Sequence, residues 1–361
     1  MKIAIITPGY PPDVGGVERV VAAHARELAR RGHDVAVITM FRRGVEVVTQ
    51  GADSTVGVRR FGCGRLRGPF AFSLTLFAYV LARSRRFDVV HVHNAHSSVA
   101  LSTLFVARRR LVFSPHFHGV GHSRVARLLH IPYRLLLRPV LTRPDVRICV
   151  SNSERDLMLS RYNIDGQKTV VIPNGVAADE IQKAQPYELR RKVLLSSSRL
   201  ETYKQVDKVV QVVAALPDSW MLVVCGTGPQ REDLVRIANS LRLGDRVAFL
   251  GHVSDGDLWR WLRTADVFVS LSKHEAYGLS LAEALVAGAR AVVSDIPAYR
   301  ELANGDQRVE HVAVDASPTA IAAGVERVSQ RSSSAEYTAC TVSWPEVALR
   351  LERVYAAVSK F

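Results

Sequence analysis

Short β-branched runs alternate with helical patterns along the whole chain, and this alternation narrows the possible folds more than any other feature. KIAIIT, HDVAVIT, DVVHVH, RLVFSPH, DVRICVS and TVVIP recur through the first half; KVLLSSS, WMLVVCG, RVAFLG, DVFVSLS, RAVVSD and HVAVD follow in the second. Each is a near-continuous apolar stretch, the pattern of a parallel strand covered on both faces. Helical periods lie between them. Over residues 17–31, Val17, Val20, Val21, Ala25 and Leu28 fall on one stripe, and Gly32 stands where a C-cap belongs. The alternation predicts an α/β protein with doubly wound parallel sheets, and about six strands in each half predict two of them. At 361 residues the chain is too long for one ordinary core and comfortable for two.

The periodicity breaks in IPNGVAADEIQKAQPYELRRK, where Pro173, Asn174, Gly175 and Pro186 cluster before the strand KVLLSSS restarts it. This places a first domain at 1–176 and a second at 177–342. SWPEVALRLERVYAAVSK reads as a terminal helix opened by Ser343 and Pro345, and residues 343–361 are expected to pack back on the first domain. Two such sheets are expected to face each other across a cleft, with ligands at the carboxyl ends of the strands.

Charge is lopsided. Residues 1–175 carry 26 lysines and arginines against 11 acids, a net of +15, whereas residues 176–361 carry 22 against 23, a net of −1. PFAFSLTLFAYVLA, residues 69–82, is flanked by Arg65, Arg67, Arg83, Arg85 and Arg86, and RVARLLHIPYRLLLRPVLTR, residues 124–143, repeats the mixture. Such segments suit either an anionic membrane surface or a pair of core helices with solvated arginines. No nucleic-acid-binding signature accompanies the charge, so nucleic acid is not expected as a partner. The longest apolar stretch falls short of the roughly 20 residues that span a bilayer. MKIAIITPGYPP reads as a strand and turn, not a secretory leader. Cys63, Cys149, Cys225 and Cys340 form no CxxC pair and fit thiols in a reducing cytoplasm.

The segment from Lys273 to Asp295, KHEAYGLSLAEALVAGARAVVSD, carries the strongest chemical signal. It leaves the strand DVFVSLS, passes Gly278, and runs as a helix from about Leu279 to Ala287. Glu275 sits on the strand-to-helix loop and Glu283 on the second helical turn. The N–H groups of Gly278, Leu279 and Ser280 at the helix start would hold an anion such as a diphosphate. Taken alone, two glutamates at this spacing also fit an ordinary acidic helix start.

The segment resembles the Glu-(seven residues)-Glu element of the family 4 retaining glycosyltransferases. CGTGPQREDL (225–234) is similar to that family's G-x-G-P stretch. RVAFLGHVSDGDLWRWLRTADVFVSLS (246–272), TVVIPNGV (169–176), the opening ITPGYPPDVGGVERVV and the closing SWPEVALRLERVY resemble its other motifs in the same order. The resemblance covers essentially the whole chain. It implies the GT-B architecture, two Rossmann-like parallel-sheet domains across a cleft, and transfer of a hexose-type sugar from a nucleotide diphosphate with retained configuration.

Residue by residue, the resemblance gives Glu275 to the donor sugar's hydroxyls and Glu283 to the nucleotide ribose. Arg199 and Lys204, in LSSSRLETYKQVD, match the basic pair that holds the donor diphosphate. Gly15 and Gly16, in PPDVGGVER, match the loop that meets the donor phosphates and the acceptor; as residues they are equally a plain tight turn. His116 aligns with the family's active-site histidine, and His118 becomes an acceptor-side candidate. The chain departs from the family wording at Ser198, Gln205 and Ala276-Tyr277, where glycines or phenylalanine are usual, and Gln205 is expected to stiffen the phosphate loop.

The histidines His91, His93, His96, His116, His118 and His122 raise zinc as an alternative, but no cysteine or carboxylate stands at a matching spacing. Asp255-Gly256-Asp257 reads as a helix N-cap with an acidic first turn and not as a cation site. No cofactor or metal is therefore expected. The expected partners are a nucleotide-sugar donor and a glycan, lipid-linked or small-molecule acceptor, with the inner face of the membrane as a candidate docking surface for a cytoplasmic protein. A sugar-nucleotide epimerase and a catalytically silent scaffold of the same fold are the competing readings. An intact Arg199, Lys204, Glu275 and Glu283 set speaks against the scaffold.

Overall fold

A computed structural model describes residues 1–41, 47–50, 56–63, 71–106, 110–119, 137–331 and 341–359. His122, Arg65, Arg67, Cys340 and most of the basic stretch 124–143 lie outside the described residues. The chain forms two compact units, residues 1–175 with 342–361, and residues 176–341.

In the first unit, β1 (Lys2–Thr7), β2 (Asp34–Phe41), β3 (Val47–Gln50), β4 (Val56–Gly62), β5 (Val89–His93), β6 (Leu111–Ser114), β7 (Val146–Cys149) and β8 (Thr169–Val171) form one sheet. Their order is β3-β4-β2-β1-β5-β6-β7-β8, and only the β3–β4 pairing is antiparallel. Both faces are covered, as the near-continuous apolar runs require. Ile3 and Ile5 of β1 pack with Leu28, Leu351 and Tyr355, whereas Ala4 and Ile6 pack on the other face with Leu76, Val80 and Phe113. The β3–β4 hairpin was not among the expected strands. VGVRRFG is no continuous apolar run: its half-buried arginines sit against aromatic rings, Arg59 over Tyr79 at 4.7 Å and Arg60 over Tyr10 at 5.9 Å.

The helix Gly16–Arg30 buries Val20, Val21, Ala25 and Leu28, and Gly32 follows it with φ of 85°. The helix Trp344–Ser359 buries Val347, Ala348, Leu351, Tyr355 and Val358 in the same core. Its outer side is tied by Glu352, which accepts from Arg31 at 2.7 Å and meets His33 at 2.7 Å. Ahead of this helix, β16 (Val342–Ser343) pairs with β9 (Gly175–Val176). A Cβ on Gly175 would come within 2.6 Å of the Trp344 ring, so this crossing fits only glycine.

The second unit is an all-parallel sheet of β10 (Lys192–Ser197), β11 (Trp220–Cys225), β12 (Val247–Gly251), β13 (Val267–Ser270), β14 (Arg290–Ser294) and β15 (Val309–Val312). Their order is β12-β11-β10-β13-β14-β15. The strand expected at HVAVD begins two residues earlier: Asp295 N donates to Val312 O at 2.7 Å, and a turn between Ala313 and Ala316 then takes the chain away. In each unit successive strands add outward from a first strand and then reverse direction, between β1 and β5 and between β10 and β13. These are the topological switch points at which open α/β sheets bind ligands.

Cys63, Cys149 and Cys225 are buried and unbridged. Among the described residues no helix is long and apolar enough to cross a membrane. Tyr355→Phe is expected to lower stability by about 1–3 kcal/mol, because it strips the hydroxyl that bonds buried His91 Nδ1 at 2.7 Å. The shift in the urea midpoint measures this, and an unchanged midpoint would refute it.

Candidate functional site

The second unit's switch point collects the residues singled out by sequence. The loop after β10 carries Arg199 and Lys204, and the loop after β13 carries Glu275 and Gly278. Lys204 Nζ donates to Glu275 Oε1 with both side chains largely buried. Burial alone would push both groups toward neutrality. The attraction between them outweighs it, holding Lys204 above its ordinary range and Glu275 below 4.5. Tyr299 OH donates to Glu275 Oε1 at 3.3 Å and shares a 2.6 Å bond with Ser270 Oγ. Arg199 is exposed and donates to Tyr203 OH at 3.1 Å. The Tyr203 ring stacks on His274 at 4.7 Å and lies 5.1 Å from Lys204 Nζ.

Local backbone chemistry makes this convergence possible. Gly226 and Gly228 lie against the β10 loop: a Cβ on the first would reach 1.8 Å from Ser198 O, and one on the second 2.5 Å from Leu200 O. The resulting contact is laced by Ser198 N to Cys225 O at 3.1 Å and Leu200 N to Thr227 O at 2.9 Å. Gln205 stands in left-handed backbone, φ 51°, which explains why the family so often has glycine there. Its buried side-chain amide, once oriented with its nitrogen toward the carbonyls, can offset that strain by donating to Leu271 O at 2.8 Å and Val314 O at 3.2 Å. Gln205 is therefore a clasp between the two loops, more than a stiffened hinge.

Gly278 caps the helix Leu279–Val286 with φ 104°, and a Cβ there would lie 2.6 Å from the Tyr299 ring. The first-turn N–H groups, including those of Leu279 and Ser280, have no acceptor within the helix and carry its positive dipole end. Glu283 is buried in this helix. The sequence reading missed Tyr203, Tyr299 and Ser270; nothing in their spacing marks them, since they meet through three separate loops and strands. Asp255 is not the N-cap expected of it. Ser254 is, accepting from Asp257 N at 3.1 Å, while Tyr187 OH donates to Asp257 at 3.1 Å.

In the first unit, Gly15 and Gly16 open the helix that follows β1; a Cβ on Gly16 would meet nothing within 4 Å. Across the switch point, β5 ends in His91 and His93. His91 bonds Tyr355 OH at 2.7 Å and Ser114 Oγ at 2.8 Å, and His93 Nδ1 lies 3.0 Å from His116 Nε2. Burial lowers His116 to about 4, and burial followed by repulsion from His116 lowers His24 to about 3. His118 stacks on His96 at 4.2 Å. The backbone between them is held by Glu154, also missed, which accepts from Phe117 N at 2.5 Å and Val150 N at 2.6 Å. Its signal was the S-x-x-E pattern of Ser151 and Glu154 at a helix start. No group of three metal-ligating side chains converges among the described residues.

Residues 14–180 match Glycosyltransferase Family 4, and residues 177–339 match Glycosyl transferases group 1. The chain is 28% identical over 335 residues to alpha-monoglucosyldiacylglycerol synthase of Streptococcus pneumoniae, covering 84% of this chain and 73% of that protein. It is 29% identical over 391 residues to phosphatidyl-myo-inositol mannosyltransferase of Mycobacterium tuberculosis, covering 99% and 97%. Sucrose-phosphate synthase from Thermosynechococcus elongatus shares the fold with a TM-score of 0.79 at 18% identity, over 99% of each chain. HepE of Anabaena, solved with UDP and glucose, does so at 0.77 and 16%, over 99% of this chain and 100% of that one.

Lys204→Met is expected to cost about 3–5 kcal/mol by leaving Glu275 buried without its cation. The pH dependence reverses as well. With Glu275 depressed, the wild type gains stability as pH rises toward 4.5; in the variant Glu275 titrates above 4.5, so stability falls as pH rises past that value. Denaturation curves across this window check the sign, and parallel curves for the two proteins would refute it.

Proposed function

We propose, from the premise that this chain belongs to the family 4 glycosyltransferases of GT-B architecture and acts on a nucleotide-activated sugar, that it moves a hexose-type sugar to an acceptor hydroxyl with retained anomeric configuration. The observation that carries this reading is the desolvated Lys204–Glu275 pair beside Arg199 and a glycine-capped helix start, all at one switch point. A nucleoside diphosphate leaving group gains negative charge as the glycosidic bond breaks. Arg199, Lys204 and the N–H groups from Gly278 to Ser280 stabilise that charge, and Glu275 accepts from sugar hydroxyls. Glu283 is assigned the ribose, and Gly15 and Gly16 the phosphates and acceptor. His116 acts on the transferred sugar, and His118 on the acceptor side. The departing phosphate oxygen takes the acceptor's proton on the same face, so no covalent nucleophile, metal or cofactor is required.

A lipid-linked acceptor at an anionic membrane, within glycolipid or cell-surface glycan assembly, fits better than a small soluble one. The helix Leu74–Arg83 buries Leu76, Phe77 and Val80, yet its outer side is also apolar: Leu74 is 74% exposed and Leu81 60%. Phe72 and Phe105 are exposed as well, and Arg83, Arg85 and Arg86 stand exposed at the helix's end. An apolar face bordered by arginines suits the headgroup region of anionic lipid, and the names of the two relatives above each contain a lipid.

A thermal-shift screen of nucleoside diphosphates and their sugars should single out one donor by mass action. With that donor, Arg199→Ala is expected to lower transfer about 10²–10³-fold while the fold is kept. Wild-type turnover in the variant would sink the assignment, and epimer formation without acceptor product would replace it with an epimerase. Sedimentation with vesicles tests the membrane. Binding should require anionic lipid and fall in high salt; equal partitioning to neutral vesicles would end that part of the reading.

A further inference from the structure

His93 stands on β5 two residues beyond His91, on the same face of the strand, and is completely buried. In the sheet register it lies opposite Ser114, the last residue of β6. His116 then takes left-handed backbone, φ 48°, an uncommon conformation for a residue with a Cβ. Its ring lies nearly parallel to that of His93, with centroids 5.3 Å apart and an interplanar angle of 18°. The two are joined by one hydrogen bond, His93 Nδ1 to His116 Nε2 at 3.0 Å.

One proton occupies that bond, and its owner decides what His116 offers a ligand. Were His116 the donor, His93 would carry its own proton on Nε2. That nitrogen is buried with no hydrogen-bond partner among the described residues. An orphaned buried N–H is the rarer outcome in folded proteins, whereas an unengaged lone pair is better tolerated. With His93 as donor, Nε2 is left as a bare lone pair and His116 must hold its hydrogen on Nδ1. Both rings stay uncharged: burial, then the neighbouring His91, His116 and His24, keeps His93 well below 6.5. His91 cannot substitute, because Tyr355 and Ser114 already occupy its two nitrogens.

We infer that His93 is a positioning residue that fixes His116 as the neutral Nδ1–H tautomer, so that His116 meets the donor sugar as a hydrogen-bond donor and not as a base. This rests on the assignment of His116 to the transferred sugar. It goes further by naming the ring atom, the direction of the bond and the residue that sets both.

Nitrogen-15 NMR of the full chain labelled at histidine tests the tautomer without any substrate, with the His116 ring assigned by its loss in His116→Gln. The expected pattern is a protonated Nδ1 and a bare Nε2; the opposite pattern in the wild type overturns the inference. His93→Asn keeps an amide N–H near the position of Nδ1 and should preserve the pattern. His93→Phe should release His116 to the Nε2–H form. Turnover of UDP-glucose, GDP-mannose and ADP-glucose, read as nucleoside diphosphate release, separates the two levels of the argument. His93→Phe should lower kcat about tenfold or more with KM little changed, as a wrong tautomer does at other catalytic histidines, and His93→Asn should restore most of it. Full turnover in His116→Gln would remove the underlying reading. An inactive His116→Gln beside an unimpaired His93→Phe would remove only the role of His93.

Discussion

The ion pair between Lys204 and Glu275 is the interaction that joins the loops after β10 and β13 in the second unit. Two charges withdrawn from water attract strongly, but they also lose their hydration, so a buried pair seldom adds much net stability. Its presence at the switch point is better explained by what it holds ready. Two loops that belong to strands 70 residues apart in sequence are drawn together with a cation and a carboxylate already oriented. Neither group has to be desolvated again when a charged ligand arrives, which is the physical content of preorganisation. Gln205, Gly226, Gly228 and Gly278 support this arrangement, since each removes bulk or can supply a bond beside one of the two loops.

The first unit solves a different electrostatic problem at its own switch point. Here the buried groups are imidazoles, crowded as His24, His91, His93 and His116 with ring centroids as close as 4.0 Å. Among the described residues no carboxylate balances them, so burial keeps them neutral, and what they offer is hydrogen-bond direction instead of charge. A neutral ring beside a sugar can discriminate among hydroxyl groups without attracting stray ions. Cations, as at Arg199 and Lys204, would suit an anionic group instead.

Much of this was legible in the sequence, for reasons that differ by element. The parallel strands declare themselves because strands covered on both faces are apolar throughout, and β1, β5 and β10 to β14 fall where those runs stand. Arg199 and Lys204 were picked out only by resemblance to family motifs, and Glu275 and Gly278 by their place before a helix; the fold sets them on the loops after β10 and β13. The β3–β4 hairpin was not legible, since the half-buried Arg59 and Arg60, lying over tyrosines, interrupt the apolar run that marks the other strands. The early start of β15 depends on where a turn pulls the chain off the ladder, which hydrophobicity does not encode. Tyr299 meets Ser270 and Glu275, and Tyr203 meets His274, across loops distant in sequence, and pattern reading alone has no term for that.

Backbone strain connects these cases. Asn163 and Asn304 adopt positive φ as helix caps, where asparagine does so at little cost. Asn94, His116 and Gln205 do so at or soon after the carboxyl ends of β5, β6 and β10, where the chain leaves the sheet toward its switch point. For histidine and glutamine that conformation is unfavourable by about 1–3 kcal/mol. Each persists because its own side chain is bonded within the site, His116 to His93 and Gln205 to Leu271 and Val314. Glycine at either position would relieve the strain and remove the bond together. Residues that stabilise an isolated loop are therefore not the residues that make it work.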